Sequence, residues 1–358
     1  MTPTFATPLA TNLATNPALD PAGPDLTLAG NANMALYASM IVYTLAMLVF
    51  AWHLAARAGQ VRAATAVDRD EVLVGSTPTV AGATTGSLPS AGVLRPTPAE
   101  PAFEESPVSA QRGNIALMLT YLATALLVGS VILRGFAVGR PPWGNMFEFA
   151  TASAAAVGLT YSVLAKRNRW QWLGVFIVTP VLLVLGLALA VLYTEAGELM
   201  PALKSYWLAI HVGVAFLAVA FFTIAAAIGV VYLVRLRREE KPPASRSFIE
   251  SLPSSAALER TAYSLNMVAF ILWTFTLIAG AIWAKQAWGA YWQWDPKEVW
   301  TFVIWTVYAA YMHGRATAGV DLRRSMSIAL AGYACVVINF TLVNLVSTFV
   351  GMHNYSGM

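Results

Sequence analysis

Long apolar runs dominate this chain, and each is bounded by short clusters of charged, proline or glycine residues. Eight read as spans, at roughly 34–56, 114–135, 147–166, 171–194, 206–234, 263–284, 299–314 and 327–350. At about 1.5 Å of rise per helical residue, about 20 apolar residues cross a hydrocarbon core. Backbone groups inside lipid must pair internally, which predicts an all-α, polytopic transmembrane helix bundle. The seventh run is short and its apolar character breaks off at His313. Residues 1–33 hold no lysine or arginine and are rich in Ala, Thr and Pro; residues 58–112 are rich in Thr, Ser, Gly and Pro. Both compositions predict disorder. The organisation expected is thus a tail at 1–33, a first transmembrane helix at 34–57, a linker at 58–112 and a membrane domain over 113–358.

Composition agrees with this organisation. The chain is 58% hydrophobic and 11% charged, against about 25% charged in ordinary soluble domains. Seventeen of its 22 lysines and arginines fall in the loops 57–112, 166–169, 235–260 and 315–324. The other side has Arg134, Arg140, Lys204, Lys285 and Lys297. The positive-inside rule then places both termini outside the cytoplasm, together with the loop at 285–298. Residues 1–33 lack the basic start and early apolar core of a signal peptide. The net charge of +4 belongs to the inner loops, and no basic-aromatic arrangement suits nucleic acid. Cys335 is the single cysteine; a thiol relay needs two that can pair, so any thiol chemistry falls to a partner.

The loop Trp288-Gly289-Ala-Tyr291-Trp292-Gln-Trp294-Asp295-Pro-Lys-Glu298 concentrates the chemistry. Interface belts explain one or two rings at a helix end; four in seven residues suit a flat platform for a large planar ligand. The four histidines suggest what that ligand coordinates. Counting depth along the helices puts His53 and His313 near the inner face and His211 and His353 on the outer side, beside the aromatic loop. Ionisable residues in a span tend to be functional, and a neutral imidazole is a common metal ligand. The plainer alternative for each is a hydrogen bond to a helix-end carbonyl or an interface anchor. Asp295-Pro296-Lys297-Glu298 also reads as a capping box opening the seventh helix. Asn145-Met-Phe-Glu148 repeats that pattern at the third, after a turn in which Arg140 is placed to meet an anionic group.

Taken together, these segments resemble the tryptophan-rich WWD signature of heme-handling proteins, and within them the CcsA/ResC family of system II cytochrome c biogenesis (CcsB in some bacteria). The similarity covers about 113–358. It includes Lys204 to His211 as a first external histidine segment, Tyr311-Met-His313-Gly-Arg315 after the loop, and Gly351-Met-His353-Asn-Tyr355 as a second external one. The resemblance implies a chain in the bacterial cytoplasmic (inner) membrane that passes heme b outward and presents it to an apocytochrome c bearing CxxCH. It would be the heme-handling subunit of a heme-attaching synthase, with a ResB-type membrane protein as partner. His211 and His353 would be axial iron ligands, flanked by Trp288, Gly289, Tyr291, Trp292, Trp294, Asp295 and Arg140. His53 and His313 would hold heme at an inner site, His53 being assigned by depth. Two other readings share some features. A membrane b-type electron-transfer cytochrome usually draws two ligands from one helix, whereas no span here has two histidines. A system I heme-delivery subunit normally has six spans.

Overall fold

The computed structural model describes residues 24–74, 105–197, 205–240, 248–317 and 319–346. Among them the chain is helical, with no strand. The helices are α1 (Leu26–Val74), α2 (Pro107–Val138), α3 (Met146–Asn168), α4 (Gly174–Val191), α5 (Tyr206–Glu239), α6 (Ser255–Trp288), α7 (Pro296–Ala316), α8 (Leu322–Phe340) and α9 (Leu342–Val346), with 3₁₀ turns at Trp170–Leu173 and Phe248–Ser251. Seven of these segments are long and apolar enough to cross a membrane. The seventh predicted run forms α7, which is helical but falls outside that set. Several boundaries differ from expectation, the first being the start of helix α1 at Leu26, which makes residues 26–33 of the predicted disordered tail helical. Helix α1 continues to Val74 and α2 starts at Pro107, so the predicted 58–112 linker is helical at both ends. The eighth span, expected to run on to 350, breaks at Thr341 before the short α9.

Local chemistry sets these boundaries. Ser106 caps α2 by accepting from the Ser109 backbone N–H, with Pro107 in the first turn, where its missing N–H is no loss. Gly139 ends α2 at φ +62° and Gly289 ends α6 at φ +81°, conformations that a side chain disfavours.

The helices alternate in direction. One end of the bundle is fastened by Arg315 to Glu259 and Arg323 to Glu240. The other is fastened by Ser205 to Gln286 at 2.9 Å and by Lys297 to Asn344 at 2.7 Å. Helix α5 is the most enclosed, packing along α6 and meeting α3 and α8. Small residues permit such close approach in lipid: Gly229 makes room for Met326 of α8, and Gly332 of α8 for the ring of Tyr308. Tyr308 in turn stacks on Phe222 of α5 with centroids 3.9 Å apart.

Candidate functional site

Between α5, α6 and the start of α7 lies an open, mostly apolar cleft. Its walls include Leu208, His211 and Val212 of α5, Thr276, Gly280 and Trp283 of α6, Tyr291 and Trp292 of the loop, and Lys297 and Thr301 of α7. Trp143 and Phe149 from the α3 entry close one side, and Asn339 and Phe340 another.

His211 is the cleft's imidazole. Its Nδ1 lies 2.9 Å from the Thr276 carbonyl oxygen. A carbonyl only accepts, so Nδ1 carries the proton and Nε2 the lone pair that metal coordination requires. The ring lies nearly parallel to Trp283, at 13° and 6.1 Å between centroids. Gly280, one helical turn beyond Thr276, makes the approach feasible: a Cβ there would stand 2.8 Å from His211 Cε1 and 2.9 Å from Nδ1. Thr276, Gly280 and Trp283 share one face of α6 by helical spacing. Sequence reasoning singled out neither Gly280 nor Trp283. The available signal was a glycine and a tryptophan three residues apart at the end of an aromatic-rich helix.

The aromatic loop divides its labour. Trp292 and Tyr291 line the cleft. Trp288 ends α6 and meets the edge of Trp283 at 4.8 Å, so it supports the wall behind His211. Trp294 is 76% exposed, at φ +59°, and touches Trp292 edge-on at 5.8 Å. The capping box is present: Asp295 Oδ1 accepts from the Lys297 N–H at 2.9 Å, and Glu298 Oε2 from the Asp295 N–H at 3.2 Å and the Gln293 N–H at 2.8 Å. One carboxylate thus fixes two points of the aromatic loop to the helix that follows.

The second candidate box resolves differently. Asn145 caps α3 by accepting from the Glu148 N–H at 2.9 Å. The Glu148 side chain, fully buried, instead accepts from Arg134 Nε at 3.0 Å, Arg140 Nη1 at 2.8 Å and the Gly144 N–H at 2.9 Å. Two guanidiniums and the Gly144 N–H together take up the oxygens of this buried carboxylate. The anionic group that Arg140 meets is therefore Glu148. The guanidiniums also reach the Thr194 and Gly197 carbonyls, tying the α4 exit to the turn that carries Trp143.

At the opposite end, His53 is completely buried, with Nδ1 2.9 Å from the Ser109 carbonyl and 3.4 Å from Glu105. Its Nε2 has no hydrogen-bond partner among the described residues. His313 is exposed on the last turn of α7. Helix α1 packs on α2, α4 and the Phe248–Ser251 turn, whereas α7 packs on α8, α6 and α9. The two histidines share an end of the bundle without being neighbours. Arg315 is held by Glu259 at 2.6 Å, and Arg57 donates to the Ser251 carbonyl. His353, expected beside His211, lies outside the described residues.

Fold and site together define a multi-pass helical membrane protein with a histidine-bearing aromatic cleft at one end. The family model for cytochrome c assembly proteins matches residues 143–351, from the Trp143 turn past the end of α9. The chain belongs to that family, whose work is the assembly of cytochrome c. It is 31% identical over 273 residues to cytochrome c biogenesis protein CcsA of Parasynechococcus marenigrum (strain WH8102), covering 69% of this chain and 88% of that one. To the CcsA protein of Prochlorococcus marinus (strain MIT 9313) it is 30% identical over 269 residues, 67% of this chain and 84% of the relative. With the Gloeothece citriformis (strain PCC 7424) CcsA protein, identity is 29% over 303 residues, 71% and 90% of the two chains.

Proposed function

We propose that the cleft receives heme and presents it for attachment to apocytochrome c, this chain being the heme-handling subunit of a system II synthase. The observation that carries the reading is the fixed tautomer of His211: a backbone carbonyl takes Nδ1, which leaves Nε2 as the lone-pair nitrogen of a ring that lines an aromatic-walled space. A planar macrocycle with a central iron needs such a donor and such walls. Trp292 and Tyr291 cover the ligand from the loop side, and Trp283 with Trp288 backs the histidine.

The second axial ligand in this reading is His353. The described chain ends at Val346, two residues past the cleft-lining Asn344. Seven further residues span at most roughly 25 Å, enough to bring an imidazole back over the cleft. Two protein histidines would keep the iron saturated until a histidine of the apocytochrome's CxxCH displaces one. The thioether bonds use substrate cysteines, so the lone Cys335 is no obstacle. His53 and His313 serve at an inner stage of the same route, His53 offering a buried Nε2 with no competing hydrogen bond among the described residues. The setting is the bacterial inner membrane, with the tryptophan loop on the extracytoplasmic side and a ResB-type protein as partner.

Visible spectroscopy of the detergent-purified complex tests this. The unaltered protein should show a low-spin, bis-histidine spectrum. His211→Ala and His353→Ala should each lose it and stop maturation, and added imidazole should restore part of both. Unchanged spectra and unchanged maturation in both variants would remove the assignment.

A further inference from the structure

Among the described residues that line the cleft, Lys297 is the one lysine or arginine, and its placement runs against what helix stability alone would select. It occupies the second position of α7, where the helix dipole disfavours positive charge. A lysine at a helix end near the interface ordinarily extends outward to water. Here the side chain turns inward. Nζ donates to the Asn339 carbonyl at 2.9 Å and to Asn344 Oδ1 at 2.7 Å, 5.3 Å from the Phe340 ring centroid. Neither nearby carboxylate is hydrogen-bonded to Nζ among the described residues. Asp295 Oδ1 accepts from the Lys297 backbone N–H, and Glu298 Oε2 from two loop N–H groups. An ammonium has three N–H donors, so one remains after the two oxygens. A part-buried charge here is costly, and Asp295 offsets that cost only through space, without a hydrogen bond to Nζ among the described residues.

We propose that Lys297 is the carboxylate-recognition residue of the cleft, pairing with an acidic side group of the bound macrocycle and fixing its rotation in the plane. This rests on the heme reading of the cleft. An axial ligand such as His211 sets where the iron sits but leaves the ring free to turn about the Fe–N axis. A charge pair at the periphery removes that freedom, so the edge meant for covalent attachment always faces the same way. Heme carries two propionates on one edge, and its vinyl groups lie away from them. Anchoring a propionate at Lys297 orients the vinyl edge by exclusion.

The test compares hemin with hemin dimethyl ester, whose propionates are uncharged, on the full chain with its membrane partner in detergent. The unaltered protein should bind the diacid about tenfold tighter than the diester, the scale of one charge-assisted hydrogen bond. Lys297→Met should bind both alike while keeping the low-spin spectrum that reports His211. Lys297→Arg should restore the preference. A lysine that merely ties α7 to the end of α8 would change stability without erasing this discrimination. A Lys297→Met protein that still prefers the diacid overturns the proposal. So does an unaltered protein that binds both equally, which decides the matter if the Met variant fails to fold. If the unaltered protein binds neither porphyrin at low spin, the heme reading itself falls, and the proposal with it.

Discussion

His211 and Gly280 are fitted to one another across the α5–α6 interface: the imidazole edge occupies the space a side chain at 280 would take. The fit also supplies the Thr276 carbonyl as hydrogen-bond acceptor, because a bulkier residue one turn on would hold the ring away from it.

Gly280→Ala should therefore weaken heme binding by about tenfold or more, corresponding to ~1.4 kcal/mol, with loss of low-spin character. Helix propensity works in the opposite direction, since alanine in a helix interior is worth up to about 1 kcal/mol over glycine. A variant that melts at the same or higher temperature yet takes up less heme would separate site damage from unfolding. Unaltered heme uptake would show that the ring has room to shift.

The tryptophans should divide by burial. Trp283 is 3% exposed, and Trp→Ala in a packed setting costs about 3–5 kcal/mol. Trp283→Ala should thus lower both yield and heme content. Trp292→Ala should lower heme occupancy at near-normal expression, and Trp294→Ala should leave thermal stability unchanged. Heme content unaltered after Trp288, Trp292 and Trp294 are all replaced would reduce the loop to an interface anchor.

Glu148 holds two arginines in a buried cluster. Removing one partner of a buried ion pair costs about 3–5 kcal/mol, so Glu148→Gln should lower the melting temperature in detergent markedly. Because the cluster fixes the turn that carries Trp143, proteolytic cleavage within 139–145 should also quicken. Full stability in the variant would show that the arginine–carbonyl bonds suffice.

The inner histidines give a directional prediction. Replacing both His53 and His313 by alanine should leave the protein low in heme at both ends, whereas His211→Ala should leave heme held at the inner one. Pyridine hemochrome quantification gives the total heme, and the visible spectrum of the intact protein, compared with the single-site variants, assigns it to an end. An inner double variant with full outer heme would mean that heme enters by another route.

How much of this was legible beforehand follows from what a linear code specifies. Hydropathy located the helices, and the Asp295 to Glu298 box was readable because capping depends on residues three apart. The aromatic loop stood out by density. Depth arithmetic put His53 and His313 at one end of the bundle, but rise per residue fixes height and says nothing of position around the axis; α1 and α7 have different neighbours. Glu148 looked like a cap because Arg134 is fourteen residues away in sequence yet adjacent in space. The role of Trp283 carries no signal in the sequence because it depends on a ring from another helix.

Helix α7 carries the cleft's lysine and one wall, yet it is the helix that is not apolar enough to count among the seven membrane-crossing segments. A segment of that composition depends on packing against apolar neighbours to sit at membrane depth. Helix α8, which follows after a short turn and packs along it, is apolar enough to serve. The order of synthesis then has a chemical meaning. A chain ending at α6 lacks the wall that Lys297 and Thr301 supply, and α8 adds Asn339 and Phe340, so the cleft is complete only once both helices are present.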